Sequence, residues 1–460
     1  MKRTTFGVAA ALVVLAAAAT PAVADGGTTT SPGTSSSSAS SAPSGATDTA
    51  TAPATPTAPA TWQPQGRVLT GAATTADAPV LKAGTTYQDT IKPGQTRMYT
   101  IPLDAVSSAY ASAFALPPTG VKVAYNDGIE LKFTSADGTQ CDSREAHFDD
   151  DGDARPVGTA VQRVASGGYG SCEVADRYTL QVHRTSEAGS DQAAWPLELR
   201  YVLEPPLKAG ADRQSAPPDV TATASPTPLT TGTTKPASGG TSFETAAALR
   251  TGIWKDQVLP GETRFYKVAV DWGQQATVFA DFSSAPLIGS SLNFVNTGVR
   301  LTSFSPVRQY VDGDDGSYSG AQTSLDTQVP TVSYANRSSD DDTVQRVRYA
   351  GWYYVAVTVH PDVAKQVSGA VPVTLRVQVS GTAQAGPPYA GDPGAAGIGV
   401  DARAAASADG SAPSAAGTAG GAPAVPGLRM VAYGAFGLGT LLLIVLAVWF
   451  GAARRRPARG

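Results

Sequence analysis

The chain has 460 residues, carries a net charge of −4 and is 16% charged. So slight an imbalance gives no basis for a nucleic-acid partner, which would call for a basic surface. Two cysteines, Cys141 and Cys172, are its entire thiol content.

Met1-Lys2-Arg3 opens the chain, an apolar run from Phe6 to Ala19 follows, and Ala22-Val23-Ala24 precedes Asp25. This is the pattern of a secretory signal over 1–24, cut after Ala24 at a small-x-small site set by Ala22 and Ala24. Residues 25–65 are almost wholly Ser, Thr, Ala, Pro and Gly, a composition that cannot bury enough apolar surface to order itself. The same holds for a linker at 208–240 and a stalk at 381–429. Met430 to Ala453 is uncharged and rich in Leu, Val and Ala. At ~1.5 Å rise per residue it is long enough for a span of ~30 Å. Arg454, Arg455, Arg456 and Arg459 follow, and such a cluster stays on the cytoplasmic side. The expected topology is single-pass type I, with a short basic tail at 454–460; a buried core helix is the competing reading of the same segment.

Between these tracts the chain repeats itself. Pro93-Gly94-Gln95-Thr96-Arg97-Met98-Tyr99-Thr100-Ile101-Pro102-Leu103-Asp104 returns as Pro260-Gly261-Glu262-Thr263-Arg264-Phe265-Tyr266-Lys267-Val268-Ala269-Val270-Asp271. Pro196-Leu197-Glu198-Leu199-Arg200-Tyr201-Val202-Leu203 answers to Pro372-Val373-Thr374-Leu375-Arg376-Val377-Gln378-Val379, closing each copy. The alternation has a period of two: Tyr99, Ile101 and Leu103 share an apolar face with Tyr266, Val268 and Val270 in the second copy, whereas the opposite face changes freely. Pro102 lacks a ladder donor and belongs on an edge strand. Glu198 and Arg200 are expected outward, with Leu197, Leu199, Tyr201 and Leu203 inward. Asn126-Asp127-Gly128 and Asn296-Thr297-Gly298 mark a further shared turn. Short strands punctuated by Gly, Pro and Asn predict an all-β chain, two tandem antiparallel β-sandwiches at 66–207 and 241–380.

Pro260-Gly261-Glu262-Thr263-Arg264-Phe265-Tyr266-Lys267-Val268, with Gly351-Trp352-Tyr353-Tyr354-Val355-Ala356-Val357 near the other end, resembles the bacterial pre-peptidase C-terminal domain family. That family's modules show a G-E-x-x-Y-Y/F strand early and a G-x-Y-Y-V-x-V strand late, on a small jelly-roll-like sandwich. The first copy departs from the late motif, with Ser171-Cys172-Glu173 and Asp176 to Val182 in its place. The resemblance implies binding, targeting or spacing without catalysis. The arrangement of signal, tandem domains, stalk, span and arginine tail also resembles exported actinobacterial envelope proteins.

Chemistry-bearing motifs are few. No H-E-x-x-H or G-x-S-x-G occurs, and the histidines are His147, His183 and His360. His183 and His360 are taken as matched positions after the strands ending at Val182 and Val359. Cys141 and Cys172, in the exported part, are expected to pair, closing a loop of about thirty residues; a reactive thiol or metal pair is the alternative. Asp149, Asp151 and Asp153, and Asp312 and Asp314, fall in comparable acidic runs that could hold Ca²⁺ through oxygen ligands, or else form solvated loops. Trp254, Trp272, Trp352 and Tyr353 could present flat faces to a sugar, or fill a core. The function expected is that of a non-enzymatic, membrane-anchored envelope protein. It would display two sandwiches to an envelope glycan or protein, with a hinge setting their orientation. An accessory subunit of an envelope protease, sensor or secretion complex is the alternative.

Overall fold

Both Pro-Gly pairs fold as tight turns that launch the same strand. The N–H of Gln95 bonds the carbonyl of Lys92 at 3.1 Å, and that of Glu262 bonds Leu259 at 3.0 Å. Proline presets the first central residue of each turn, while Gly94 (φ 66°) and Gly261 (φ 82°) supply the positive φ that a type II turn needs at the second.

The computed structural model describes residues 58–165, 170–211, 226–289 and 293–413. Ala22, Ala24, the span at 430–453 and Arg454, Arg455 and Arg456 lie outside the described residues. Among those described, no helix is long and apolar enough to cross a membrane.

The first copy runs through β1 (Arg67–Val68), β2 (Thr85–Ile91), β3 (Thr96–Leu103), β4 (Ser108–Ala115), β5 (Gly128–Thr134), β6 (Gln140–His147), β7 (Val157–Arg163), β8 (Asp176–Thr185) and β9 (Trp195–Glu204). The second runs through β10 (Thr234–Pro236), β11 (Ala247–Leu249), β12 (Gly252–Val258), β13 (Thr263–Val270), β14 (Gln274–Phe282), β15 (Val295–Phe304), β16 (Tyr310–Tyr318), β17 (Thr323–Val329), a short helix α1 (Asp342–Arg346), β18 (Gly351–Val359) and β19 (Val371–Gly381). Sheet orders β1-β2-β9-β4-β7 and β3-β8-β5-β6 recur as β10-β12-β19-β14-β17 and β11-β13-β18-β15-β16. Setting aside β1, β10 and β11, both copies have the interleaved order of a jelly roll. These three short strands pair in parallel, an addition to the antiparallel sandwich expected. β3 lies at the edge of its sheet, where Pro102 costs no ladder bond.

The pairing register aligns the copies residue by residue. Tyr99 faces Leu180 as Tyr266 faces Val355, so His183, opposite Thr96, corresponds to Thr358, opposite Thr263. The two histidines are therefore not equivalent: His183 sits inside β8, whereas His360 follows β18 and accepts the N–H of Asp362. The same register puts Tyr178 of the first copy on Tyr353, so the late motif survives there as one buried tyrosine.

A second repeated device holds each sandwich closed. Tyr99 donates its hydroxyl to Asp89 at 2.7 Å, Asp89 also takes the N–H of Gly71, and Arg97 donates to the Gly71 carbonyl at 2.9 Å. Tyr266, Asp256, Gly239 and Arg264 make the same three bonds. A Cβ on Gly71 or Gly239 would lie 2.7 Å from the tyrosine ring, so no larger residue fits beneath it. Burial, with the adjacent carboxylate, raises both phenols well above their ordinary value, so each remains a donor.

The faces read as freely variable are not alike. In the first copy the outer positions of β3, β5 and β8 are Met98, Thr134, Thr179 and Gln181; in the second, the equivalent Phe265, Phe304, Tyr354 and Ala356 are apolar. They pack with Phe114 and Leu116 of the first copy, with Phe243, and with Trp62, which comes from the 25–65 tract expected not to order itself and is instead buried here, in one cluster. Phe114 and Phe265 lie 4.8 Å from Phe243, and Trp62 lies 5.2 Å from Phe265, all tilted or edge to face. A flat apolar face on the outside of a sheet has to be covered, and the neighbouring copy covers it.

Glu198 and Arg200, expected outward, do point away from their own core, but into this junction. Glu198 is fully buried and bonds Arg308 at 2.8 Å; Arg308 in turn bonds Glu244 at 2.8 Å, and Glu244 takes Arg200 at 3.1 Å. Where a hinge was expected to set their orientation, the copies are in direct contact, and two of the paired charges, Glu198 and Arg308, have no exposed side-chain surface. Described parts of the linker and stalk are also docked. Arg376 donates to the carbonyl of Leu229, β10 joins β12, and Leu207 bridges Tyr389. Residues 382–413, read as stalk, form a strap that buries Tyr389, Ala396 and Ile398. Its Ala390 N–H bonds Pro206 and its Gly410 N–H bonds Ala248, so it touches both copies.

Candidate functional site

Where the junction opens to solvent it leaves a cleft of about 470 Å³, walled by β6 and β7 of the first copy and by the outer face of β13, β18 and β15 of the second. Strand alternation sets its lining. On β15 the inward Val299, Leu301 and Ser303 are buried, so Arg300, Thr302 and Phe304 point the other way, into the cleft. Thr263 on β13 and Thr358 on β18 stand side by side there with their hydroxyls 2.9 Å apart.

Four guanidinium groups reach the cleft. Arg155 pairs with Asp153 at 2.8 Å and Asp149 at 3.2 Å; Arg300 lies 3.6 Å from Asp153 and 3.7 Å from Asp315; Arg144 pairs with Asp142 at 3.4 Å; and Arg346 pairs with Asp342 at 3.0 Å. Of the carboxylates, Glu145 and Asp149 line the cleft, whereas Asp142, Asp153, Asp315 and Asp342 pair with the arginines from outside its lining. The four arginines of the lining are thus met by six carboxylates, Asp142, Asp149, Asp150, Asp153, Asp315 and Asp342, so the cleft carries no excess of cations. Tyr310 at the rim is 45% exposed, its carbonyl 3.4 Å from the Arg346 guanidinium.

The charges beneath the floor differ by exposure. Burial raises the Glu198 carboxyl above its ordinary value despite the pull of Arg308. Glu244, about one-third exposed, is lowered: burial opposes the shift, but Arg308, Arg200 and the Thr86 hydroxyl outweigh it. Burial depresses Lys267 as well, against the attraction of Glu244.

The structure separates the calcium candidates. Asp149 and Asp153 flank Arg155, and Asp151 accepts the N–H of Tyr125 at 2.9 Å, all in the turn after β6. Asp312 and Asp314 are not in a comparable loop: they lie on β16. Asp312 accepts the N–H of Gln328 at 2.8 Å just as Asp142 accepts that of Gln162 at 2.9 Å, so its equivalent is Asp142. Asp314 accepts the N–H of Asp326 at 3.3 Å. Among the described residues no group of three or more His, Cys, Asp or Glu is placed to hold a metal.

Of the aromatic candidates, Trp254 and Tyr353 are buried, their polar atoms bonded to the carbonyls of Arg250 and Tyr349. Trp272 is 8% exposed, and Trp352 is half-buried beside the Lys267 ammonium, 5.4 Å from its ring. None of the four lines the cleft. Cys141 and Cys172 form the expected disulfide, Cα atoms 5.6 Å apart, tying β6 to the segment before β8.

Sequence reading missed Phe265, Phe304, Arg308 and Tyr310. The available signal was the difference between the copies: at matched outer positions one carries Met and Thr where the other carries Phe.

No protein-family model and no curated protein matches the chain. Among solved structures it is similar to the pre-peptidase C-terminal domain of a collagenase from Bacillus anthracis, at 12% identity and a TM-score of 0.18, over 27% of this chain and 94% of that one. It is also similar to the CBM22 tandem domain of Xyn10C from Paenibacillus barcinonensis, at 10% identity and a TM-score of 0.16, over 64% of this chain and 86% of that one. The extracellular domain of ANXUR2 from Arabidopsis thaliana follows at 10% identity and a TM-score of 0.18, over 66% of this chain and 86% of that one. Likenesses this slight say nothing of ligand or activity; the jelly roll is read from the chain's own sheets.

Proposed function

We propose that the chain is a non-catalytic, membrane-anchored envelope protein whose two sandwiches serve together as one binding body. The observation that carries this reading is the buried Glu198–Arg308–Glu244 junction. An ion network with no exposure at Arg308 or Glu198 fixes one copy on the other, so the surfaces offered to a partner are composite. The signal sequence, span and arginine tail are the basis for anchoring, with the sandwiches outside. A second reading, an accessory subunit of an envelope complex, draws on Leu287, Ile288 and Phe294, apolar and roughly half or more exposed.

The test has two parts. Protease added to intact cells should remove the sandwiches, and a stop codon after residue 429 should release the protein into the medium. The purified full chain should co-sediment with isolated envelope. Protection from external protease would refute the topology, and absence of co-sedimentation would refute the binding role.

A further inference from the structure

We propose that the cleft between the sandwiches takes a basic peptide in extended form, added as a further strand along the free edge of β6 and carrying cationic side chains to Glu145 and Gln309. The proposal rests on the binding reading above and names the partner class for it.

β6 is a terminal strand of the sheet β3-β8-β5-β6. The N–H of Phe148 bonds the Asp127 carbonyl, so Phe148 turns its backbone toward β5, and by alternation Ala146 and Arg144 do the same. Ser143, Glu145 and His147 therefore point N–H and C=O away from the sheet. Two of these outward groups are already held: the Ser143 N–H bonds the Asp142 carboxylate at 2.9 Å, and the His147 carbonyl accepts Arg155 at 3.2 Å. Among the described residues nothing takes the outward N–H or C=O of Glu145, which is exposed and lines the cleft. A donor and an acceptor side by side on a strand edge are what a second extended backbone pairs with.

The two copies differ at this edge. In the second, β16 is stitched to β17 twice, Asp312 accepting the Gln328 N–H and Asp314 that of Asp326. In the first, Asp142 makes the former bond to Gln162, but Arg144, opposite Leu131, stands where the second copy has Asp314, opposite Leu301. A guanidinium has no acceptor to offer an N–H, so the edge is stitched once, on the copy whose edge walls the cleft.

Charge and one buried amide select the side chains of the peptide. Six carboxylates already meet the four arginines, and Glu145 is a seventh, 69% exposed, with the His147 ring at 3.6 Å as its ion-pair neighbour. The surplus is acidic, and a cationic partner complements it. Gln309, supplied by the second copy, also lines the cleft; it is 6% exposed, gives its Nε2 to Gln162 at 2.8 Å, and leaves Oε1 without a donor among the described residues. A buried acceptor left unpaired is costly, and an ammonium or guanidinium supplies what it lacks. At the rim the exposed Tyr310 ring offers its face to a cation. A free polyamine would satisfy the charge but leave the Glu145 backbone unpaired.

Isothermal titration of the purified full chain with a blocked octapeptide of alternating lysine and threonine is the direct experiment. It should bind, and its glutamate–threonine counterpart should bind at least tenfold more weakly. N-methylation separates strand addition from charge alone, because alternate N–H groups of an added strand face β6: methylating one set, lysines or threonines, should cost tenfold or more, and methylating the other should cost little. Glu145→Pro removes the outward donor without breaking a ladder bond and should weaken binding more than Glu145→Gln, which removes the charge alone. Gln309→Leu should weaken binding as well. The methylated peptides probe the same contact on the parent chain, so the test stands even if Glu145→Pro does not fold. Equal binding of the two methylated peptides, binding of the glutamate peptide as tight as that of the lysine peptide, or parent-like binding by a folded Glu145→Pro would overturn the proposal. Co-sedimentation of the parent with envelope separates the two readings: peptide binding without it sinks the envelope role and leaves the cleft assignment, whereas co-sedimentation without peptide binding does the opposite.

Discussion

Arg308→Met tests whether the two sandwiches are fused by charge. Arg308 has no exposed side-chain surface, bonds Glu198 and Glu244 at 2.8 Å each, and lies 4.7 Å above the Phe243 ring. Removing it leaves Glu198, also fully buried, with the Gln65 N–H at 2.8 Å as its remaining donor. Breaking one side of such a pair costs about 3–5 kcal/mol, whereas replacing both sides with apolar groups of similar volume is often neutral. Arg308→Met should therefore cost about 3–5 kcal/mol, and adding Glu198→Leu should recover most of it. Glu244 keeps Arg200 and the Thr86 hydroxyl at 2.6 Å in either variant. Urea unfolding of the purified full chain followed by tryptophan fluorescence is the assay, since Trp62 sits in the junction. A backbone effect is separable, because Arg308 holds φ at 65°. Arg308→Gly would relieve about 1 kcal/mol of left-handed strain yet still strand Glu198. A cost below about 1 kcal/mol for Arg308→Met, or a double variant as unstable as the single, would refute the reasoning.

Removing the disulfide with Cys141→Ser and Cys172→Ser, which opens a separation of 31 residues, should cost about 3–4 kcal/mol in denaturant unfolding; an unchanged midpoint would count against the bridge's role. Glu244 is held below its ordinary value of 4.5, so its stabilisation is present above that value and is lost as pH falls through the depressed one. The gap in melting temperature between the parent and Glu244→Gln should accordingly be widest near neutral pH and close in acid; a gap that widens in acid would contradict the assignment. Tyr266→Phe should cost about 1 kcal/mol, and Asp256→Ala more, since it strands both the Tyr266 hydroxyl and the Gly239 N–H; equal costs in urea titrations would argue against the shared acceptor. Calcium added to chelator-treated protein should leave the melting temperature unchanged, because Asp153 is paired with Arg155 and Asp312 with backbone. A rise of several degrees would instead reveal an ion site.

Much of the scaffold was legible because it depends on local rules. Pro93-Gly94 and Pro260-Gly261 dictate a turn, alternation around Tyr99 and Tyr266 dictates a buried face, and the missing donor of Pro102 dictates an edge. Cysteine pairing followed from having two thiols in a chain read as exported. The acidic runs misled because Asp312-Gly313-Asp314 looks like Asp151-Gly152-Asp153 in composition but sits on a strand, a difference set by its partners across β15 and β17. The cleft was illegible for a related reason: Arg144, Thr302, Tyr310 and Arg346 are far apart in the chain and meet only once one copy rests on the other.

The sequence alone determined that a block of strands occurs twice in the chain and which side of each strand faces its own core. Those are properties of short segments, governed by φ preferences, donor count and a period of two. Only the tertiary structure decided that the outward sides differ in fate. Phe265 and Phe304 are covered, Glu198 is buried against Arg308, and the strap at 382–413 crosses both copies. Local patterning distinguishes core from non-core, but the burial of a second face depends on which distant surface is available to desolvate it.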